Sequence, residues 1–322
     1  MFLNRNRQVW VGLICSLFLA SSPTVAHQSG QHAITEDTQV MAIGSAQMHI
    51  AGDKRVITSD GLASHQTGQF PNRGNPNRIS AQSISVEMPL HPVQNNLPQP
   101  IRMMGIALNG ILFEPGTAEC FGQTRTRQNT SIQRPKASQT PRAGQRAQRQ
   151  NGQARQTRQA RQVRQARQGG SNACAWREEA LVNGKGRLGL DANNAHVQPS
   201  GLYHYHGIPD GLVAQLQPDA NGEVHIGYAA DGFPLYMDPQ ARQAPSYQLK
   251  SGSRPSGDNQ PGGLYDGTYT ADFEFRAGSG SLDECNGRMV AGQYRYYATE
   301  RFPYLPRCLW GNVDNSFQKK RR

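Results

Sequence analysis

Residues 201–211 read GLYHYHGIPDG, with two tyrosines and two histidines in strict alternation. Successive side chains of an extended strand point to opposite faces. Tyr203 and Tyr205 are therefore expected on one face, and His204 and His206 on the other. The two histidines would start about 7 Å apart along a strand that rises roughly 3.3–3.4 Å per residue. Two imidazoles on one face can hold an ion or a substrate between them.

The preceding loop, LDANNAHVQPSG from residue 190, offers further ligands. His196 is the candidate third ligand, and Asp191 is a candidate ligand or a residue that orients one from behind. Imidazole nitrogens with one carboxylate favour a divalent ion, zinc first, with copper as an alternative. Calcium is a weaker alternative because the Asp/Asn loop lacks the spacing of an EF-hand. The structural alternative is that the histidines are neutral, buried and hydrogen-bonded.

Four further side chains are candidates for lining a cleft around the histidines. The aspartate and the two tyrosines among them each have a purely structural explanation as an alternative. An Asp before Gly232 can stabilise a turn without any ligand, and the two strand tyrosines can pack in the core with their hydroxyls hydrogen-bonded. The cleft candidates are Asn194, Tyr203, Tyr205 and Asp231.

A weak internal repeat frames the motif. LDANNAHVQPSGLYHYHG begins at Leu190, and LDECNGRMVAGQYRYYA begins at Leu282. Both contain Leu-Asp, then Asn, then Gly-x-Tyr-x-Tyr. Arg295 and Tyr297 stand in the second copy where the two histidines stand in the first. The repeat predicts that the loop and its tyrosine-rich strand form one structural unit, with the histidines a feature of one copy.

The strand signals predict a mainly β fold, α+β with low helix content and many turns. SISVEMPL (83–90) alternates, which is typical of a half-buried strand. Asn109-Gly110 between apolar segments predicts a β-hairpin, because both residues tolerate a positive φ. NACAWREEALVNG (172–184) contains good helix formers and a terminal Gly, which predicts a helix. We expect a single strand-rich domain over residues 51–312.

An Arg/Gln-rich insertion interrupts this domain at 121–171. Residues 121–170 hold 12 Arg and Lys and no Asp or Glu, and x-R-Q recurs five times near their end. Such a segment cannot build a core, so we expect disorder. The basic tail (313–322) contains KKRR. When the basic residues of 121–170, of KKRR and of the N-terminal segment are set aside, 16 basic residues remain against 23 acidic ones. The net charge of +11 therefore describes the appendages. Nucleic acid is therefore an unexpected partner, whereas the insertion suits an anionic envelope surface.

The N-terminal segment predicts export. Residues 1–26 contain arginines, a short apolar run and small residues before Ala26, which is typical of a cleaved signal peptide. Residues 27–50 are expected to be a loose leader. The mature chain has no apolar run of spanning length, so a periplasmic or extracellular location follows, where disulfides can form. Four cysteines outside the signal peptide allow three pairings; local pairing favours Cys120 with Cys174 and Cys285 with Cys308.

Several long motifs together resemble the YHYH-domain family of secreted bacterial proteins, over roughly residues 55–310 without the insertion. The resemblance implies that the Leu-Asp loop and the YHYH strand belong together, and it carries no activity or ligand with it. The chain departs from the family in its insertion and in Cys120 and Cys174. The matching motifs are ITSDGLASHQTGQFPNRGNPNRIS (57–80), GIALNGILFEPGTAE (105–119), LGLDANNAHVQPSGLYHYHG (188–207), IGYAADGFPLY (226–236), LDECNGR (282–288) and FPYLPRC (302–308).

Three functions fit these observations. The first is an exported metal-binding domain with a histidine-lined cleft, in which a free coordination position would permit metal-assisted catalysis. The second is a metal-free module that binds a glycan or peptide ligand. The third is a structural envelope protein with an adhesive basic loop. No nucleotide cofactor is expected, because the G-x-G-x-x-G at Gly184 lacks a flanking strand and helix.

Overall fold

A computed structural model describes residues 41–101, 103–122 and 174–318. Strands hold 33% of them and helices 4%, which confirms the mainly β class. The predicted signal peptide, nearly all of the insertion and the KKRR end of the tail lie outside these residues. The expected disorder of the insertion and its contact with an anionic surface therefore stay predictions. No helix within the described ranges is long and apolar enough to cross a membrane.

The N-terminal described segment forms a four-stranded antiparallel meander. Its fourth strand alternates, so that Val86 and Met88 reach the core, where Ile57 of the third strand joins them. Residues 46–50 were expected in a loose leader but form part of a strand. Ala46 and Met48 alternate there with polar residues, and their side chains are buried. The strands are β1 (Met41–Ile43), β2 (Ala46–Ala51), β3 (Lys54–Ser59) and β4 (Ile84–Pro89).

A mixed eight-stranded sheet forms the centre of the fold, in the order β10-β11-β7-β6-β12-β13-β19-β18. Its first hairpin turns at Asn109-Gly110, as predicted, with Gly110 at φ +79°. The strands are β6 (Gly105–Ala107), β7 (Leu112–Phe113), β10 (Ala195–Val197), β11 (Tyr203–Tyr205), β12 (Val224–Ala229), β13 (Pro234–Met237), β18 (Gly287–Val290) and β19 (Gln293–Ala298).

The two halves of this sheet repeat one arrangement. In the first half, hairpin β6-β7 pairs in parallel with β11, which forms a hairpin with β10. In the second half, hairpin β12-β13 pairs in parallel with β19, which forms a hairpin with β18. The halves meet where β6 and β12 pair antiparallel. The weak sequence repeat is thus part of a longer structural repeat that includes the two preceding hairpins.

Short elements complete the fold. Residues 174–184 are not the predicted helix: backbone bridges join Arg177 to Cys120 and Glu178 to Tyr269, and a hairpin turns at Asn183-Gly184. These tertiary contacts override local helix propensity. The short elements are β5 (Gln99–Pro100), β8 (Leu181–Val182), β9 (Lys185–Gly186), β14 (Tyr247–Leu249), β15 (Ser256–Gly257), β16 (Gln260–Pro261), β17 (Phe273–Phe275), β20 (Cys308–Leu309), helix α1 (Asp210–Val213) and 3-10 turns at Thr270–Asp272 and Asn315–Phe317.

Both predicted disulfides are present. Cys120–Cys174 brings together the two ends of the segment that carries the insertion, with Cα atoms 5.9 Å apart. Cys285–Cys308 joins the loop before β18 to strand β20. Each bridge closes one chain segment and limits the conformations of the unfolded state. The local pairing is therefore confirmed.

Candidate functional site

The YHYH segment places its side chains as the alternation predicts. Strand β11 lies between β10 and β7, and Tyr203 and Tyr205 are fully buried in the core. His204 and His206 project from the other face. In the antiparallel pairing with β10, His196 lies directly opposite His204. The hairpin therefore brings three histidines onto one face, although His196 is eight positions before His204 along the chain.

The three imidazoles converge through their Nε2 atoms. The His206 Nε2 lies 3.0 Å from the His204 Nε2 and 3.1 Å from the His196 Nε2. His204 and His206 are 2% and 3% exposed. These three are a group of side chains within the described ranges whose ligand atoms are close enough to share one ion. We call them the histidine cluster.

Backbone carbonyls set the tautomers of two members. The His196 Nδ1 lies 3.0 Å from the Leu188 carbonyl oxygen, and the His204 Nδ1 lies 3.3 Å from the Leu202 carbonyl oxygen. A carbonyl only accepts, so both Nδ1 atoms donate and, in the neutral imidazoles, both Nε2 atoms carry lone pairs. Lone pairs that converge within a buried cluster repel each other unless a cation or a proton lies between them. This arrangement matches how metal-ligating histidines are usually oriented.

A cavity of about 640 Å³ opens onto the cluster. Its wall includes Glu114, which the sequence analysis missed. The Glu114 Oε2 lies 3.8 Å from the His204 Nε2, and the Gln198 side chain donates a hydrogen bond to the same oxygen. Arg307 also lines the cavity and pairs with Glu179 at 2.6 Å. Glu114 had one sequence signal: it directly follows the second strand of the Asn-Gly hairpin.

The structure corrects the assignment of Asp191 as a ligand. Its Oδ2 accepts hydrogen bonds from the Tyr203 hydroxyl (2.6 Å) and the Gly68 N–H (2.9 Å). Its Oδ1 accepts from the N–H groups of Asn193 and Ala195. The carboxylate is thus used on the tyrosine side, where it holds the loop that leads into His196. Asp191 supports the cluster and does not touch it.

Three of the cleft candidates are also corrected. Tyr203 and Tyr205 pack in the core and do not line the cavity; the alternative of packing with bonded hydroxyls is confirmed, because Tyr205 bonds Asn109 and His65. Asn194 shapes the loop, with φ +53°, and its side chain donates to the Ile208 carbonyl at 2.8 Å.

Asp231 lies in the second half of the sheet, away from the cavity wall. It is fully buried, and its Oδ2 accepts hydrogen bonds from the Tyr296 hydroxyl and the Gly311 N–H, both at 2.8 Å. Burial raises the pKa of this carboxyl to about 6. Its Oδ1 accepts a hydrogen bond from the Phe233 N–H at 3.4 Å, as the turn alternative predicts, and Asp231 is not among the residues that line the cavity.

The second half shows what the same scaffold does without histidines. Arg295 takes the place of His204, and its Nη1 lies 3.0 Å from a Glu223 carboxylate oxygen. The Tyr297 hydroxyl, in the place of His206, donates to the same Glu223 at 2.8 Å. The Arg295 guanidinium packs on the Tyr236 ring. A buried ion pair thus fills the second half where the first half has three imidazoles and a cavity.

Comparison with known proteins agrees with the motif. The family model described as YHYH protein matches residues 85–311, more than half of the chain. No curated protein and no solved structure matches the chain significantly. The matched range contains both Leu-Asp loops, the histidine cluster and Glu114. The chain belongs to the YHYH protein family.

Proposed function

We propose that the protein binds one transition-metal ion at the histidine cluster. One observation carries this proposal: three Nε2 atoms meet within 3.0–3.1 Å contacts at the end of a cavity, and carbonyl partners turn two of them inward as lone-pair donors. A cation accounts for three converging ring nitrogens of which two are oriented as acceptors.

The donor set favours zinc. Zinc holds imidazole nitrogens at about 2.0–2.1 Å, so two of its nitrogen ligands lie roughly 3.3 Å apart in a tetrahedral site. The observed nitrogen separations are close to this spacing. Copper(II) also takes imidazole nitrogen, whereas calcium requires oxygen ligands, which the cluster does not supply. Zinc is the first ion to test, and copper is the second.

The cavity distinguishes this site from a purely structural one. Structural zinc sites usually have four protein ligands, whereas catalytic sites use three and leave one position for water or substrate. Here three imidazoles face a space of about 640 Å³, within the usual range for small-molecule sites. An ion held there would polarise a bound oxygen. Metal-assisted chemistry on a small molecule is the activity that this arrangement supports.

Export is part of the proposal. Two disulfides in one chain are typical of an oxidising compartment. The apolar run and small residues of 1–26 support a cleaved signal peptide. We therefore propose that the protein acts in the periplasm or outside the cell.

Elemental analysis by mass spectrometry tests the metal proposal. The full chain would be exported to an oxidising compartment and purified without a polyhistidine tag, beside the variant His204→Ala/His206→Ala. We expect close to one equivalent of zinc or copper in the wild type and less than a tenth of that in the variant. Loss of two of three ligands removes most of the binding free energy.

The matched control is His49→Ala/His91→Ala, which removes two exposed histidines outside the cluster. It should retain the wild-type metal content. Circular dichroism would establish that each variant is folded. If the wild type binds no metal after incubation with zinc and copper, or if both double variants lose metal equally, the proposal is wrong.

A further inference from the structure

Glu114 is placed by the same strands as the histidine cluster. In the parallel pairing of β7 and β11, Leu112 lies opposite His204 and Phe113 lies opposite Tyr205. Glu114 follows directly, and its N–H donates to the Tyr205 carbonyl at 2.9 Å. Glu114 is 9% exposed, and its side chain is part of the cavity wall. A buried carboxylate needs partners, and here the Gln198 side chain donates to Glu114 Oε2 while the His204 Nε2 lies 3.8 Å from the same oxygen.

The internal repeat separates scaffold from site. The support residues recur with the same bonds: the Tyr203 hydroxyl donates to Asp191 as the Tyr294 hydroxyl donates to Asp283. Four side chains that face the cavity differ between the halves. His196, His204, His206 and Glu114 of the first half correspond to Arg288, Arg295, Tyr297 and Tyr236 of the second.

Glu114 therefore varies with the three histidines and not with the scaffold. A carboxylate kept for the β-hairpin alone would recur at position 236, as the Asp of the Leu-Asp loop recurs at 283. The exchange of all four residues for an arginine and tyrosine set in the other half marks them as one functional group.

We propose that Glu114 determines which ligand completes the metal site: a neutral group that donates a hydrogen bond, such as water or the hydroxyl of a small polyol, in preference to an aprotic anion. This inference rests on the proposed metal site. A carboxylate beside the free coordination position would accept a hydrogen bond from a ligand that carries a proton. It would repel an anionic ligand that has no proton to donate. The Gln198 side chain holds the carboxylate by donating to its Oε2.

Azide binding tests this role, because azide is an anion without a proton to donate. The full chain would be loaded with cobalt(II), and azide binding would be measured from the visible absorption of the metal. In Glu114→Gln we expect azide affinity to rise about tenfold over the wild type, the order expected when one negative charge a few ångström away is removed. Cobalt content should remain within about threefold.

Glu119→Gln is the matched control, since Glu119 is another carboxylate of the cavity wall. It should leave azide affinity unchanged. Equal azide affinity in the wild type and Glu114→Gln would overturn the role of Glu114, and so would loss of cobalt in Glu114→Gln, which would make Glu114 a direct ligand. Failure of the wild type to bind cobalt would instead contradict the metal site itself.

Discussion

At the scale of single residues, Asn109 and Asp231 occupy equivalent turns in the two halves of the sheet. Both precede a glycine with positive φ, and both bond a buried tyrosine of the neighbouring strand. The Asn109 amide donates to the Tyr205 hydroxyl at 2.9 Å. The Tyr296 hydroxyl donates to the Asp231 carboxylate, so the direction of the hydrogen bond is reversed. Only Asp231 adds a titratable group to the core.

Asp231→Asn should remove a pH dependence of stability. Burial raises the pKa of Asp231 from 3.8 to about 6, so the folded state binds the proton more tightly than the unfolded state. Its contribution therefore stabilises the fold below pH 3.8 and is lost as the pH rises through about 6. Between pH 4 and pH 7, the free energy of unfolding measured in urea should fall in the wild type by up to about 3 kcal/mol more than in the variant. Parallel curves would contradict this assignment.

At the scale of elements, the two Leu-Asp loops perform the same task before β10 and β18. Asp283 accepts hydrogen bonds from the N–H groups of Cys285 and Gly287, from the Tyr294 hydroxyl and from the Trp310 indole. Asp191 has an equivalent set. Each carboxylate fixes a loop and the tyrosine of the next strand. The loops differ in what they deliver: the first leads into a histidine of the cluster, and the second leads into Arg288.

Asp191→Ala and Asp283→Ala should separate stability from metal binding. Each removes the acceptor of several partly buried donors, so each should lower the free energy of unfolding by roughly 2–4 kcal/mol. Asp191→Ala should also lower zinc affinity about 10–100-fold, as expected for a residue that orients a ligand. Asp283→Ala should bind zinc like the wild type. Calorimetric zinc titration of both folded variants measures this; equal affinities would show that the first loop does not position His196.

At the scale of the whole molecule, the halves of the large sheet meet at the antiparallel pair of β6 and β12. The two backbones approach so closely there that only glycine fits at two positions. A Cβ atom at Gly105 would lie 2.1 Å from the Tyr228 carbonyl oxygen, and one at Gly227 would lie 2.4 Å from the Ile106 carbonyl oxygen. The two contacts mirror each other across the β6–β12 pair. Backbone atoms cannot move aside as a flexible side chain can, so the junction depends on both glycines.

Gly105→Ala and Gly227→Ala should each destabilise the protein by at least about 3 kcal/mol, because the added methyl group forces the two halves apart. Thermal unfolding measures the effect. Gly116→Ala is the control: its Cβ would have no neighbour within 4 Å, and its stability should stay within about 0.5 kcal/mol of the wild type. Near-neutral behaviour at Gly105 would show that β6 and β12 do not pack this closely.

Much of the candidate site could be predicted because it depends on local periodicity. Alternation alone places His204 and His206 on one face of β11. His196 lies close in sequence, so a hairpin can pair it with His204. Glu114 could not be found this way, because it is 82 or more residues from the histidines and joins them through a parallel strand pair. The helix predicted at 172–184 failed for a related reason: bridges to distant strands outweigh local propensity.

The sequence by itself determined the mainly β class, the histidine face, the Asn-Gly hairpin, the local disulfides and the existence of an internal repeat. Each follows from side-chain period, turn chemistry or short-range pairing. Only the tertiary structure decided that Asp191 supports the loop and Glu114 faces the site, and that the repeat is a folded half-sheet. Those features depend on which strands become neighbours in the sheet. Hydrogen bonding and burial across the whole chain determine this strand order.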